Sequence, residues 1–289
     1  MKMPRVSLEK RLEFIGRLAA DFKPYAEILR TYADFIAFEE PLIGELKSAA
    51  PSVAKNEAKR LADSGKPLLK AEGVTIDLTW AAAHAAGIAA HFAMKKPDAW
   101  KPLAEDLKKG GAWAADSLAG FLADDVDAVK NSMPASSPGI ALYISLLQLA
   151  LKPLLLSLAA ALGSAVARDG WKKGFCPVCG AFPCMSEKSA PGKPWTLFCP
   201  NCETAYSYPY PRCPFCENAD TGKVNLIGIK NSPLSIVACT HCTGYIKLAD
   251  RSIRPDFPQF PFSEILTLEL DIIAAKHGYS KLSSGVFGI

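Results

Sequence analysis

The sequence predicts a mostly α chain in three parts. An amino-terminal all-helical domain spans residues 1–170. Two small four-cysteine modules span 171–207 and 208–254, and a carboxy-terminal helix and tail span 255–289. Three observations predict this. Apolar residues recur at helical spacing through the first 170 residues, all nine cysteines fall between Cys176 and Cys242, and helical periodicity returns after Pro261.

At 289 residues the chain has room for two domains of about 150 residues each. Its 49% apolar and 21% charged content is that of a globular protein rather than a disordered one. The formal charge of +4 is spread evenly: 21 basic and 20 acidic groups up to Gly170, then 12 and 9 beyond it. Neither part carries the concentrated positive field of a strong nucleic-acid binder. At the amino terminus, Arg5, Glu9, Lys10, Arg11 and Glu13 interrupt the apolar stretch of about 7–15 residues that a secretory signal needs. The expectation is a cytoplasmic protein with reduced thiols, in which clustered cysteines hold metal rather than form disulfides.

Within the first part, Leu8, Leu12, Ile15 and Leu18 fall at steps of four and three, as an amphipathic helix requires. Pro24, Pro41, Pro51, Pro67, Pro97 and Pro102 separate apolar-periodic stretches and mark expected helix starts or breaks. Asp77 precedes an alanine-rich run of high helix propensity. His84 and His91, seven apart on that run, share a face, and without a carboxylate or cysteine at ligand spacing they read as core or groove histidines. A long apolar helix is expected from Ser137, ending near Gly170. Its segment 139–167 has a single charge, Lys152, and is long enough to span a bilayer. An ammonium near the centre costs about 2.5–3.5 kcal/mol on insertion, however, and Pro153 and Gln148 add further polar or breaking features. The segment therefore reads as a buried, kinked core helix.

Composition changes at Trp171. Cys, Pro and Gly dominate to about Ile253, with β-like runs at Trp195–Phe198, Lys223–Ile229 and Leu234–Ala238. After Pro261, Ser263 reads as a helix cap, Ile265, Leu266, Leu268, Ile272 and Ile273 supply apolar surface, and Gly278 ends the helix.

Eight of the cysteines form four CxxC pairs, Cys176/Cys179, Cys199/Cys202, Cys213/Cys216 and Cys239/Cys242, separated by 19, 10 and 22 residues. A CxxC turn points two sulfurs at one ion and a second turn completes a tetrahedron. Sequential pairing closes one site from the first two pairs and another from the last two, although an interleaved arrangement is also compatible with chain entropy. Pro209 and Pro211 stiffen the spacer between them into an expected extended strut. Four thiolates suit zinc, as in a zinc ribbon, or a single rubredoxin-type iron. Two such divalent centres would each carry −2 and cancel the formal positive charge. Gly180 and Gly244 are expected to permit turns that aim backbone N–H groups at sulfur.

Around these motifs, Cys184 reads as a spare buried thiol and His241 as pointing outward. Lys172, Lys173, Lys188, Lys193, Arg212 and Lys247, with Tyr206, Tyr208 and Tyr210, read as a solvated face beside anionic centres rather than a nucleic-acid surface. No Ser/His/Asp arrangement, phosphate-cradling glycine loop or paired-carboxylate spacing is present, and no catalytic residue is assigned. A nucleic-acid-binding zinc-ribbon protein and a rubredoxin-like electron carrier are the other function classes compatible with paired tetracysteine sites.

The carboxy-terminal motifs resemble the FdhE family of formate dehydrogenase accessory proteins. The resemblance rests on CPVCGAFP at Cys176–Pro183, CPNCETAY at Cys199–Tyr206, RCPFC at Arg212–Cys216, CTHCTGYIK at Cys239–Lys247 and LDIIAAKHGY at Leu270–Tyr279. The family usually has tryptophan at the position of Tyr206. What the resemblance implies is a cytoplasmic assembly factor that is not a turnover enzyme. It would carry two rubredoxin-like metal centres and bind the catalytic subunit of a formate dehydrogenase during maturation. Arg212, Tyr245 and Lys247, which flank the cysteine turns and match the family blocks, are the expected partner contacts.

Overall fold

A computed structural model describes residues 7–46, 55–70, 74–110, 113–162 and 171–287. The chain falls into two units, Met1–Ser48 and Ala49–Ile289.

The first unit is a helical pair, α1 (Leu8–Asp21) and α2 (Ala26–Glu45). The Ser7 side chain accepts from the Lys10 amide and satisfies an orphan donor at the start of α1. Ile15, Leu18, Leu29, Phe35 and Ile36 are buried, and Arg11 pairs with Glu40. Pro41 lies inside α2 rather than breaking it. One proline removes one backbone hydrogen bond, and here the flanking turns carry the helix past that loss.

The second unit begins with six helices: α3 (Lys55–Asp63), α4 (Leu78–Lys95), α5 (Pro97–Lys108), α6 (Trp113–Ala123), α7 (Val126–Ser132) and α8 (Ile140–Leu162). Asp77 caps α4 by accepting from the Trp80 amide at 3.0 Å. Pro97 opens α5, where its missing N–H costs nothing, and Pro102 sits inside that helix. Pro24 lies in a short 3₁₀ turn and Pro67 just before another. Pro51 falls outside the described residues.

Helix α8 packs on α4 and α6. It starts at Ile140, three residues later than the sequence suggests, and its expected end near Gly170 lies outside the described residues. Among the described residues it is the one helix long and apolar enough to cross a membrane, yet 67% of its apolar window is buried inside the protein. Leu146, Leu147, Leu151, Leu154, Leu155 and Leu158 are at most 1% exposed, each contributing about 1.5–3 kcal/mol of burial. Tyr143 donates to Ser117 Oγ at 2.6 Å, joining α8 to α6. His84 lies 3.2 Å from the Ala150 carbonyl with its ring against Trp80, a core histidine whose pKa burial lowers.

The mostly helical expectation holds only in part. About half the chain is helical, but the cysteine-rich part forms one six-stranded sheet in the order β3-β2-β1-β6-β5-β4. The strands are β1 (Met185–Lys188), β2 (Trp195–Phe198), β3 (Ala205–Tyr208), β4 (Val224–Gly228), β5 (Leu234–Cys239) and β6 (Tyr245–Asp250). Strands β2, β4 and β5 match the β-like runs of the sequence, while β1, β3 and β6 do not stand out there. The segment expected to be an extended strut opens with β3, which pairs antiparallel with β2.

The topology repeats. A CxxC turn, two strands, a second CxxC turn and a third strand occur twice in that order, giving the antiparallel meanders β1-β2-β3 and β4-β5-β6. Parallel pairing of β1 with β6, Met185 opposite Lys247, fuses them into one sheet. The Ser186 hydroxyl donates to the Lys247 carbonyl across that seam at 2.8 Å.

The expected carboxy-terminal helix is two pieces, α9 (Phe262–Ile265) and α10 (Leu268–Lys276). Ser263 is not a cap: it is buried inside α9, which follows Pro261 with no side-chain cap. Gly278, at φ +82°, ends α10 as expected.

Candidate metal centres

All four CxxC turns share one backbone geometry. The amide of each first cysteine donates to the carbonyl five residues on: Cys176 to Ala181, Cys199 to Thr204, Cys213 to Asn218 and Cys239 to Gly244, at 2.8–3.1 Å. The residue four past that cysteine is left-handed, with Gly180 at φ +83°, Glu203 at +54°, Glu217 at +57° and Thr243 at +59°. Only the first turn uses glycine for this, so the backbone requirement is hidden in the other three. In the last turn the left-handed residue is Thr243 rather than Gly244. A Cβ at Gly244 would come within 2.5 Å of Leu282 Cδ1, so glycine serves close packing instead.

The turns converge pairwise in chain order. The sulfurs of Cys176, Cys179, Cys199 and Cys202 lie within 4.8 Å of one another, and so do those of Cys213, Cys216, Cys239 and Cys242. Pairing is therefore sequential rather than interleaved. Sulfur separations are 3.4 Å for Cys176–Cys202, 3.3 Å for Cys179–Cys199, and 3.8 Å for both Cys213–Cys242 and Cys216–Cys239. A disulfide would bring the atoms to about 2.05 Å, and all nine cysteines are free thiols. Tetrahedral coordination with metal–sulfur distances near 2.3 Å places sulfurs about 3.8 Å apart. The second group has that separation and the first is slightly tighter. Each group could hold one ion, and soft thiolates suit zinc or iron. Burial pushes the Cys199 thiol well up and the Cys242 thiol up to about 11, whereas at Cys176 and Cys239 burial is outweighed by hydrogen bonds from neighbouring cysteines and backbone amides, which lower the thiol.

Several polar side chains brace the turns from within. Tyr206 donates to the Gly174 carbonyl at 2.8 Å and Tyr208 to the Cys213 carbonyl at 2.9 Å, both phenols buried. Only Tyr210 of the three tyrosines is exposed, stacked on Trp195 with centroids 3.8 Å apart. Gly174 abuts the third turn so closely that a Cβ would sit 1.7 Å from the Pro214 carbonyl oxygen. Cys184 is buried, 3.7 Å from the Phe198 carbonyl and in neither group. His241 is exposed and in neither group.

Two of the three expected partner contacts point inward. Lys247 is 1% exposed, and its ammonium lies 3.0 Å from both Glu264 and Asp271. Burial alone would lower its pKa, but the two carboxylates more than offset this and leave it raised. Tyr245 is buried and donates to Asp271 at 2.8 Å. Both residues tie β6 to α9 and α10 and offer little side-chain surface, and the pairing with Glu264 and Asp271 offsets the desolvation cost of the buried ammonium. Arg212 is half-buried, and its guanidinium holds the Glu217 carboxylate at 2.8 Å and the Glu217 carbonyl at 2.9 Å.

Sequence reasoning missed one more link. Lys152, in the apolar helix α8, pairs with Glu203 at 2.9 Å. The only signal for it is that single charge in an otherwise apolar run.

No protein-family model matches the chain. Curated relatives do. A protein FdhE homolog of Aquifex aeolicus is 29% identical over 126 residues, 42% of this chain and 44% of that protein. A protein FdhE homolog of Enterobacter sp. is 25% identical over 293 residues, covering 96% of this chain and 86% of that one. Protein FdhE of Escherichia coli K12 is 24% identical over 292 residues, with the same two coverages. The crystal structure of the FdhE protein from Pseudomonas aeruginosa has the same fold, with a TM-score of 0.67 over 99% of this chain and 97% of that one at 20% identity. Relatives along nearly the whole length and a shared fold together make this chain similar to the FdhE proteins.

Proposed function

We propose that this protein is a cytoplasmic accessory factor for formate dehydrogenase, a binding protein rather than an enzyme, which engages the catalytic subunit during its maturation. The observation that carries this reading is the pair of tetracysteine groups, assembled in chain order within the fold shared with FdhE. Cys176, Cys179, Cys199 and Cys202 would hold one metal ion. Cys213, Cys216, Cys239 and Cys242 would hold the second, each ion being zinc or rubredoxin-type iron. The metals would lock two cysteine turns together in each meander, where structural zinc supplies about 10–16 kcal/mol of apparent binding free energy.

In this reading the region 171–254 works as tandem metal modules, 171–207 and 208–254, between the helices of 1–170 and the tail of 255–289. The partner would meet exposed surface around the turns, with Arg212 at its edge.

Tagged protein drawn from cells producing formate dehydrogenase should recover the catalytic subunit, and deleting its gene should lower formate dehydrogenase activity. Unchanged activity in a deletion strain that lacks a second copy overturns the proposal.

A further inference from the structure

The two tetracysteine groups share a fold but differ in exposure. In the first, Cys176, Cys179, Cys199 and Cys202 are 0–6% exposed. Other parts of the chain cover it. The Leu68 and Leu69 amides donate to the Pro177 and Val178 carbonyls at 2.9 and 2.8 Å, and a Cβ at Gly180 would meet the Pro67 ring at 3.2 Å. In the second, the leading cysteine of each turn is buried, Cys213 and Cys239 at 2%, but Cys216 and Cys242 are half-buried. Thr240, His241 and Thr243 beside Cys242 are exposed.

Exchange of a thiolate-bound ion requires an incoming donor to reach the metal or a reagent to reach a sulfur. A sealed group admits either only through local opening, whereas a half-open one admits them from the native state. Donor chemistry does not offset this difference, since both groups present four sulfurs of equal softness.

We infer that the Cys213, Cys216, Cys239 and Cys242 group is an exchangeable metal site, entered through Cys216 and Cys242 by small chelating or thiol ligands, and that the first group is closed. The second site can then pass its ion to an incoming ligand without prior opening of the fold. This rests on the reading that both groups hold metal.

The test uses the full chain loaded with zinc. Elemental analysis comes first: two zinc ions per chain are expected, and fewer overturn the metal reading itself. Excess 4-(2-pyridylazo)resorcinol should then withdraw one equivalent at least roughly tenfold faster than the other, as native-state access outruns local opening. A brief N-ethylmaleimide pulse on the same protein, read by peptide mass mapping, should label Cys216 and Cys242 before any cysteine of the first group. In Cys242→Ser the fast equivalent should vanish and the slow one persist. With two zinc ions present, release in a single phase, or earliest labelling at Cys176, Cys179, Cys199 or Cys202, overturns the inference. Because the mapping uses the unaltered chain, a variant that fails to fold does not obscure the result.

Discussion

Lys152 and Glu203 meet at 2.9 Å, linking the middle of the most apolar helix to the residue four past Cys199. The lysine side chain is 4% exposed and the glutamate 28%. Glu203 is also the left-handed residue of its turn, so one residue closes the second CxxC turn with its backbone and anchors it to α8 with its carboxylate.

This pair should couple helix stability to the first cysteine group. Glu203→Gln removes the carboxylate from beside a deeply buried ammonium, so it should cost more than Lys152→Met, which leaves a carboxylate that water can reach. Urea unfolding of both variants and the double variant should give a coupling energy of about 1–3 kcal/mol. Additive losses would show that the two residues do not communicate.

Gly174 sits where the two meanders press together. Gly174→Ala would drive a methyl group into the Pro214 carbonyl, and because both partners are backbone, chain segments must move. The expected result is a loss of several kcal/mol, on the order of the largest single-site effects. It should appear as a fall in melting temperature and faster proteolysis near residue 214. A melting temperature equal to that of the unaltered protein would mean that the close approach does not occur.

Lys247 should be essential to the docking of α9 and α10. In Lys247→Met, Glu264 at 2% exposure and Asp271 at 17% lose the nearer of their two shared cations and keep Lys281, at 3.6 and 3.4 Å. The change is worth at most about 3–5 kcal/mol, the cost of breaking a buried pair. Hydrogen exchange should accelerate across residues 262–276. If protection there is unchanged while binding to formate dehydrogenase falls, Lys247 acts at the partner surface after all.

His84 gives the fold a pH dependence of defined sign. Burial lowers its pKa below the ordinary 6.5, so the unfolded chain takes up a proton first as pH falls. Its contribution is fully present above 6.5 and declines below that value, by at most about 1.4 kcal/mol per pH unit for a single group. His84→Gln keeps an amide within reach of the Ala150 carbonyl but does not titrate. Comparing urea midpoints at pH 7.5 and 5.5, the variant should lose less stability on acidification than the unaltered protein. Equal losses would reject the assignment.

The eight candidate ligands were legible in the sequence because CxxC turns are local, and the spacings favoured the sequential grouping over the interleaved one that the structure excludes. Four consecutive residues set where two sulfurs point, and the distances between turns along the chain already fit one ion per adjacent pair. The core role of α8 was legible too, since a lysine followed by proline argues against lipid. The sheet was not. Strand β1, Met-Ser-Glu-Lys, has no alternation of its own, and its strand character comes from β2 on one side and β6 on the other. The burial of Tyr245 and Lys247 was hidden for a related reason: a tyrosine and a lysine in a polar stretch read as surface until acidic partners 17 to 26 residues away cover them.

The sequence by itself determined that this chain carries two four-sulfur groups beside a helical body, because local turn geometry and residue chemistry need no distant partner. Only the tertiary structure decided that the groups ride on one fused sheet, that one is sealed and the other half-open, and that Lys152 and Lys247 are internal. Those outcomes depend on hydrogen bonds and charge pairs between segments far apart in the chain, whose free energies arise only when the chain has closed.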